Sequence, residues 1–124
     1  MVSMFKGGCL CKAIAYEVTG DIKFSVQCFC RECQYVSGGG HLPQMAVDRA
    51  TVTVTGPLKV RTWKSESGND IEHAFCSECG SSIYKSTSMM PENVFLVAGS
   101  LDDPSIFKPD QRVYEESRQP WDRG

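Results

Sequence analysis

This 124-residue chain has no block of lysine and arginine: 13 basic residues are scattered among 15 acidic ones, and the formal net charge is -2. Neutralising a phosphate backbone takes clustered positive charge, so nucleic acid is not an expected partner. No apolar run is long enough to span a bilayer, and the opening residues Met1 to Cys9 hold none of signal-peptide length. We therefore expect no membrane association and a cytoplasmic location. There is no internal repeat, low-complexity tract or linker, which leaves one domain over residues 1–124. No segment sustains a 3.6-residue apolar period, which argues against a helical fold. With 41% hydrophobic and 23% charged residues, the composition is that of a globular protein with a core of its own.

What the chain does have is a series of short strand patterns punctuated by turns. Lys12 to Val18 alternates, with Ile14, Tyr16 and Val18 on one face, and stops at Thr19-Gly20-Asp21. Phe24 to Cys28, Gln44 to Val47, Thr51 to Thr55 and Leu58 to Trp63 are β-branched or apolar, with Gly56-Pro57 breaking the last two apart. Ser65 to Asp70 reads as a hairpin loop before Ile71 to Phe75; Ser82 to Tyr84 and Asn93 to Ala98 complete the series. Asp102-Asp103-Pro104 has the form of a cap on one helical turn. The expectation is an all-β domain.

Seven cysteines punctuate these strands: Cys9 and Cys11, then Cys28, Cys30 and Cys33, then Cys76 and Cys79. Two groups contain a C-x-x-C step, at which a tight turn aims two sulfurs at one ion. Both steps follow a strand, and Gly80 directly after Cys79 permits the backbone to curl so that amides face a thiolate. In a reducing compartment clustered thiols favour metal over disulfides, and the odd count points the same way. Four thiolates close a tetrahedral zinc site, which is ordinarily structural; three leave a position for water or substrate. A metal joining the first strand to the Cys76 turn would close a long loop and stabilise the folded state entropically.

Along nearly its whole length the chain resembles the glutathione-dependent formaldehyde-activating enzyme family, which also includes centromere protein V. Gly7-Gly-Cys-Leu-Cys-Lys-Ala-Ile-Ala-Tyr16 is similar to that family's G-x-C-x-C-G-x-V-x-Y opening, and Cys28-Phe-Cys-Arg-Glu-Cys33 to its C-H-C-x-x-C. Phe75-Cys-Ser-Glu-Cys-Gly-Ser81 resembles its F-C-x-x-C-G-S, and Val97-Ala-Gly-Ser-Leu-Asp102 and Ser117-Arg-Gln-Pro-Trp121 resemble its later segments. The resemblance implies a zinc-clipped set of twisted antiparallel sheets of the β-tent type. It implies two zinc ions, a structural one on Cys9, Cys11, Cys76 and Cys79 and a functional one on Cys28, Cys30 and Cys33. It also implies carbon-sulfur lyase chemistry at that second site, joining glutathione and formaldehyde into S-hydroxymethylglutathione, with a small thiol or thiol-aldehyde adduct as partner. The three cysteines of the open site are accordingly the catalytic candidates. Three positions depart from the family pattern: Phe29 stands where histidine is common, Lys12 where glycine is usual, and Gln34-Tyr-Val where basic residues are frequent.

The remaining polar and aromatic candidates have simpler readings. His73, alternating along a strand, reads as a packed strand residue, and His41, after three glycines, as a loop histidine. Trp63 is expected in the core, whereas Trp121 either covers the second site or packs on a neighbour. Arg31, Arg61 and Lys64 read as solvated charges. The alternative to a lyase is a zinc-stabilised binding or scaffolding module, since fold alone does not decide function. A methionine sulfoxide reductase on a similar fold would need a nucleophilic cysteine outside the metal pattern, and the seven thiols leave none.

Overall fold

The computed structural model describes residues 4–122, and among these the chain forms ten strands and one α-helix. In chain order they are β1 (Phe5–Gly8), β2 (Ala15–Val18), β3 (Phe24–Cys28), α1 (Arg31–Ser37), β4 (Leu42–Asp48), β5 (Val52–Thr55), β6 (Leu58–Lys64), β7 (Asp70–Cys76), β8 (Ser82–Thr87), β9 (Asn93–Val97) and β10 (Gln111–Val113). They build a small sheet ordered β1-β2-β5 and a seven-stranded sheet ordered β10-β3-β4-β9-β8-β7-β6. The all-β expectation holds. Pairing is antiparallel throughout except at one edge, where β10 runs parallel to β3.

The alternation in the first strand pattern positions the small sheet. Ile14, Tyr16 and Val18 are almost wholly buried. They pack against Val47, Ile83, Val94 and Leu96 of the large sheet, so the main core lies between the sheets. Burying side chains of this size contributes about 1.5–3 kcal/mol each. Gly7 stands opposite Tyr16 in the register, and a Cβ there would lie 2.3 Å from the Tyr16 ring. The Tyr16 hydroxyl in turn meets the Ser100 hydroxyl at 2.7 Å, tying β2 to the turn after β9.

Smaller apolar clusters flank this core. One joins Val26, Ala46 and Phe95; another surrounds Cys28 and Cys33 with Leu42, Val97 and Val36. The helix α1, which no periodicity announced, sits at the second cluster. Seven residues are too few for a 3.6-residue repeat to emerge. Its start is capped by the Cys30 sulfur, which accepts from the Cys33 amide, where a hydroxyl or carboxylate is the usual signal. Gly38, at φ 75°, ends it in the left-handed conformation that glycine adopts without penalty. The first glycine of the Gly38-Gly39-Gly40 run is thus a helix stop. The cap expected at Asp103 is present: its carboxylate accepts from the Ser105 amide and opens a 3-10 turn at Pro104–Ile106. No described helix is long and apolar enough to cross a membrane.

Candidate metal centres

The first centre lies where the two sheets meet. Its sulfurs, on Cys9, Cys11, Cys76 and Cys79, all lie within 4.8 Å of one another. Two backbone knuckles of the same design present them. Directly after β7, the Gly80 amide donates to the Cys76 carbonyl, and the amides of Glu78 and Cys79 point at the Cys76 sulfur at 3.3 and 3.5 Å. Gly80, at φ 81°, supplies the left-handed residue that closes the turn. After β1, the Lys12 amide donates to the Cys9 carbonyl and the Ile14 amide to the Cys9 sulfur at 3.2 Å. Here the left-handed residue is Lys12, at φ 69°, a conformation that glycine would adopt without penalty.

Ser81 stitches the knuckles together: its hydroxyl accepts from the Leu10 amide at 3.0 Å and meets the Cys79 sulfur at 3.1 Å. That hydroxyl, with the Ser81 and Cys11 amides, pulls the Cys79 pKa down to about 5. Amide and hydroxyl donors favour thiolates, the form in which cysteine binds metal. Four converging sulfurs with such donors fit a closed tetrahedral centre.

The second centre is formed by Cys28 at the end of β3, Cys30 in the turn, and Cys33 in the first turn of α1, again with sulfurs within 4.8 Å of one another. Cys28 and Cys33 are buried and Cys30 is partly exposed. Among the described residues no histidine or carboxylate joins the group. The thiols of Cys28 and Cys33 and the Cys33 amide, 3.3 Å away, all favour a charged Cys30, whose pKa is strongly lowered. The thiols of Cys28 and Cys30, with burial, push Cys33 up. A trio of donors, one poised as thiolate, fits a metal held by three protein ligands.

Lys85, to which no sequence pattern drew attention, completes the surroundings: its ammonium lies 3.3 Å from the Cys33 sulfur. Only the strand register reveals it, because β8 brings it opposite His73 of β7. His73 is buried, as a packed strand residue should be. Its Nδ1 accepts from Arg61 Nε at 3.3 Å, so Nε2 carries the proton and donates to the Ser82 hydroxyl at 2.9 Å. Burial, with Arg61 and Lys85 beside it, depresses its pKa to about 4. Arg61 is exposed, as the sequence reading expected, and its guanidinium also lies over the Trp63 ring.

Trp63 is a correction to the sequence reading: it is absent from the core and donates to Glu32 of α1 at 2.6 Å, bracing the helix against β6. Gln34, buried in α1, donates to the carbonyls of Phe29 and Ser117 at 2.9 and 3.0 Å and so anchors the C-terminal segment. Phe29 is fully buried against His41, ring centroids 4.9 Å apart, while His41 meets Asp122 at 2.8 Å and Gln27 at 3.3 Å. His41 is thus engaged away from the sulfurs. Trp121 is exposed and Lys64 pairs with Asp70 at the surface. Arg31 lies over Tyr35. A cleft of about 900 Å³ runs from Cys9 and Gly80 to Val36, Leu42 and Val97, so it adjoins both centres without being lined by Cys28, Cys30 or Cys33.

The family model described as glutathione-dependent formaldehyde-activating enzyme matches residues 4–117. Among solved structures, the chain is similar in fold to a crystal structure of a Rhodobacter sphaeroides protein. The TM-score is 0.66 and the identity 18%, over 86% of this chain and 98% of that one. No curated protein matches.

Proposed function

The chain belongs to the glutathione-dependent formaldehyde-activating enzyme family, and from that premise we propose that it is a zinc-dependent carbon-sulfur lyase acting on a small thiol-aldehyde adduct. One zinc domain spans residues 1–124 in this reading. Cys9, Cys11, Cys76 and Cys79 hold a structural ion, and Cys28, Cys30 and Cys33 hold the functional one. The observation that carries the proposal is the second centre: three sulfurs within reach of one ion and, among the described residues, no histidine or carboxylate joining them. When bound there, zinc supplies an open position at which a thiol loses its proton at neutral pH.

The chain's own residues set up that position. The Cys33 amide and the neighbouring thiols hold Cys30 as a thiolate. Leu42, Val97 and Val36 pack around Cys28 and Cys33 and keep water from their inner side. Glu32, held by Trp63, and Gln34, held by the C-terminal segment, fix the helix that carries Cys33. The reaction proposed is addition of a thiolate sulfur to an aldehyde carbon. A carbon-sulfur bond forms, the carbonyl π bond opens, and a proton ends on the oxygen; the reverse direction cleaves the adduct. Glutathione with formaldehyde is the first pair to try, because the family's name states it.

Protein purified anaerobically with zinc should hold two ions per chain. Cys33→Ser should lose one ion, keep its β circular dichroism, and lose binding or turnover of hydroxymethylated thiols. Isothermal titration with glutathione, alone and with formaldehyde, reads this directly. A zinc-loaded protein that binds and converts no thiol or aldehyde across a broad panel would overturn the lyase reading in favour of a zinc-built interaction module.

A further inference from the structure

The electrostatics around the second centre carry one step more, resting on the proposal that Cys28, Cys30 and Cys33 bind a divalent ion with one position open. Three thiolates and a dication leave one net negative charge, and a further thiolate would make it two. Such a pile-up in a half-buried place disfavours an anionic fourth ligand and favours a neutral one, unless a fixed positive charge offsets it.

Lys85 is placed to provide that offset. Its ammonium touches the Cys33 sulfur at 3.3 Å, and no ion pair among the described residues includes it. Its cross-strand neighbours are His73 on one side and Phe95 on the other, so neither supplies a counter-charge. Beyond His73 the next residue in the same row is Arg61, again a cation. The carboxylate on the helix beside Cys33, Glu32, is turned to Trp63 Nε1 and the Glu66 amide. Among the described residues, the contact made by the Lys85 ammonium is thus with the sulfur cluster, at Cys33.

We propose that Lys85 is a specificity-determining residue: it compensates the charge of the three-thiolate centre and makes the open position select a thiolate over a neutral ligand. The ligand class is a deprotonated thiol, recognised at its sulfur, and no carboxylate elsewhere in the molecule is required. In this chain the selecting charge comes from a strand of the large sheet and not from the segment that follows Cys33.

Cobalt(II) serves as the probe metal, because thiolate-to-cobalt absorption reports each sulfur ligand without any turnover. Wild type, Lys85→Met and Lys85→Arg, each loaded with cobalt, are titrated with 2-mercaptoethanol and separately with imidazole. The thiol carries no carboxylate, and imidazole is the neutral competitor. A full charge beside the centre, in surroundings between protein and water, is worth roughly ten- to hundredfold in affinity. Lys85→Met should therefore lower the ratio of thiol to imidazole affinity by about that factor, and Lys85→Arg should restore most of it. An unchanged ratio in Lys85→Met overturns the proposal, as does parallel loss of both ligands, which would mark a structural role. Lys85→Gln is read in place of Lys85→Met should the latter fail to hold cobalt. Failure of both neutral variants to hold it makes Lys85 a determinant of metal binding and also overturns the proposal. A wild-type band that added thiol leaves unchanged would bring down the open-site reading itself, whereas a wild type that binds thiol beside an unaffected Lys85→Met would bring down the role of Lys85 alone.

Discussion

Removing one sulfur of the four-thiol centre should cost a large part of the molecule's stability, and the chain path gives the magnitude. The Cys11 and Cys76 sulfurs lie 3.8 Å apart although the residues are 65 apart in sequence. A metal on both acts as a cross-link, and the chain-entropy relation for a loop of this length gives about 4 kcal/mol. Against a total folding stability of about 5–15 kcal/mol, that is a substantial fraction. For a chain of this size it corresponds to a fall in melting temperature of roughly 12–20 °C.

Cys76→Ser alone does not isolate this effect. Cys76 is wholly buried in the core between the sheets, so a serine there also buries a hydroxyl, at a cost of about 1–3 kcal/mol. Cys11 is exposed and breaks the same cross-link without that penalty. Both serine variants should therefore melt well below wild type, with Cys76→Ser the lower of the two, when followed by circular dichroism in reducing, zinc-replete buffer. A chelator should then bring wild type down towards Cys11→Ser. A Cys11→Ser variant that melts with wild type, beside a destabilised Cys76→Ser, would show that packing and not metal closure holds the knuckles, and the cross-link argument would fail.

Two further outcomes follow from single residues. Lys12 is held at φ 69°, a conformation that costs a side-chain-bearing residue about 1–2 kcal/mol, so Lys12→Gly should stabilise by roughly 0.5–1 kcal/mol after glycine's greater entropy loss. Urea unfolding checks it, and a destabilised Lys12→Gly contradicts it. His73, with its pKa depressed to about 4, stays neutral in the fold while an unfolded histidine, near 6.5, takes up a proton first. Stability should thus fall as pH drops from about 6.5 towards 4, and His73→Gln should flatten that limb. Identical pH dependence of the urea midpoint in the two proteins would refute the assignment.

The parts of this molecule that could be read from sequence are those whose signal is local. Cysteine spacing marked both knuckles, and alternation marked Ile14, Tyr16 and Val18 as one buried face. Asp103 before proline marked its own cap. What escaped lies in pairings between distant segments. β10 spans three residues and owes its place to a parallel partner more than eighty residues earlier. Trp63 has the look of a core residue on an alternating strand, yet its indole nitrogen was claimed by a helix that no period betrayed. Lys85 reads as any strand lysine until the register sets it beside a thiol.

That contrast also separates the tasks of the two centres. The four-thiol centre is built from both ends of a long chain path and sits against the main core, so its sulfurs are tied to the fold as a whole. The three-thiol centre is built from Cys28, Cys30 and Cys33, close together in sequence, and closes no long loop. Its geometry comes from β3, α1 and the contacts of Glu32 and Gln34. Loss of an ion there returns little chain entropy to the unfolded state. Under the proposed assignment, a change of ligands, charge or occupancy at the second centre therefore costs the fold less than the same change at the first.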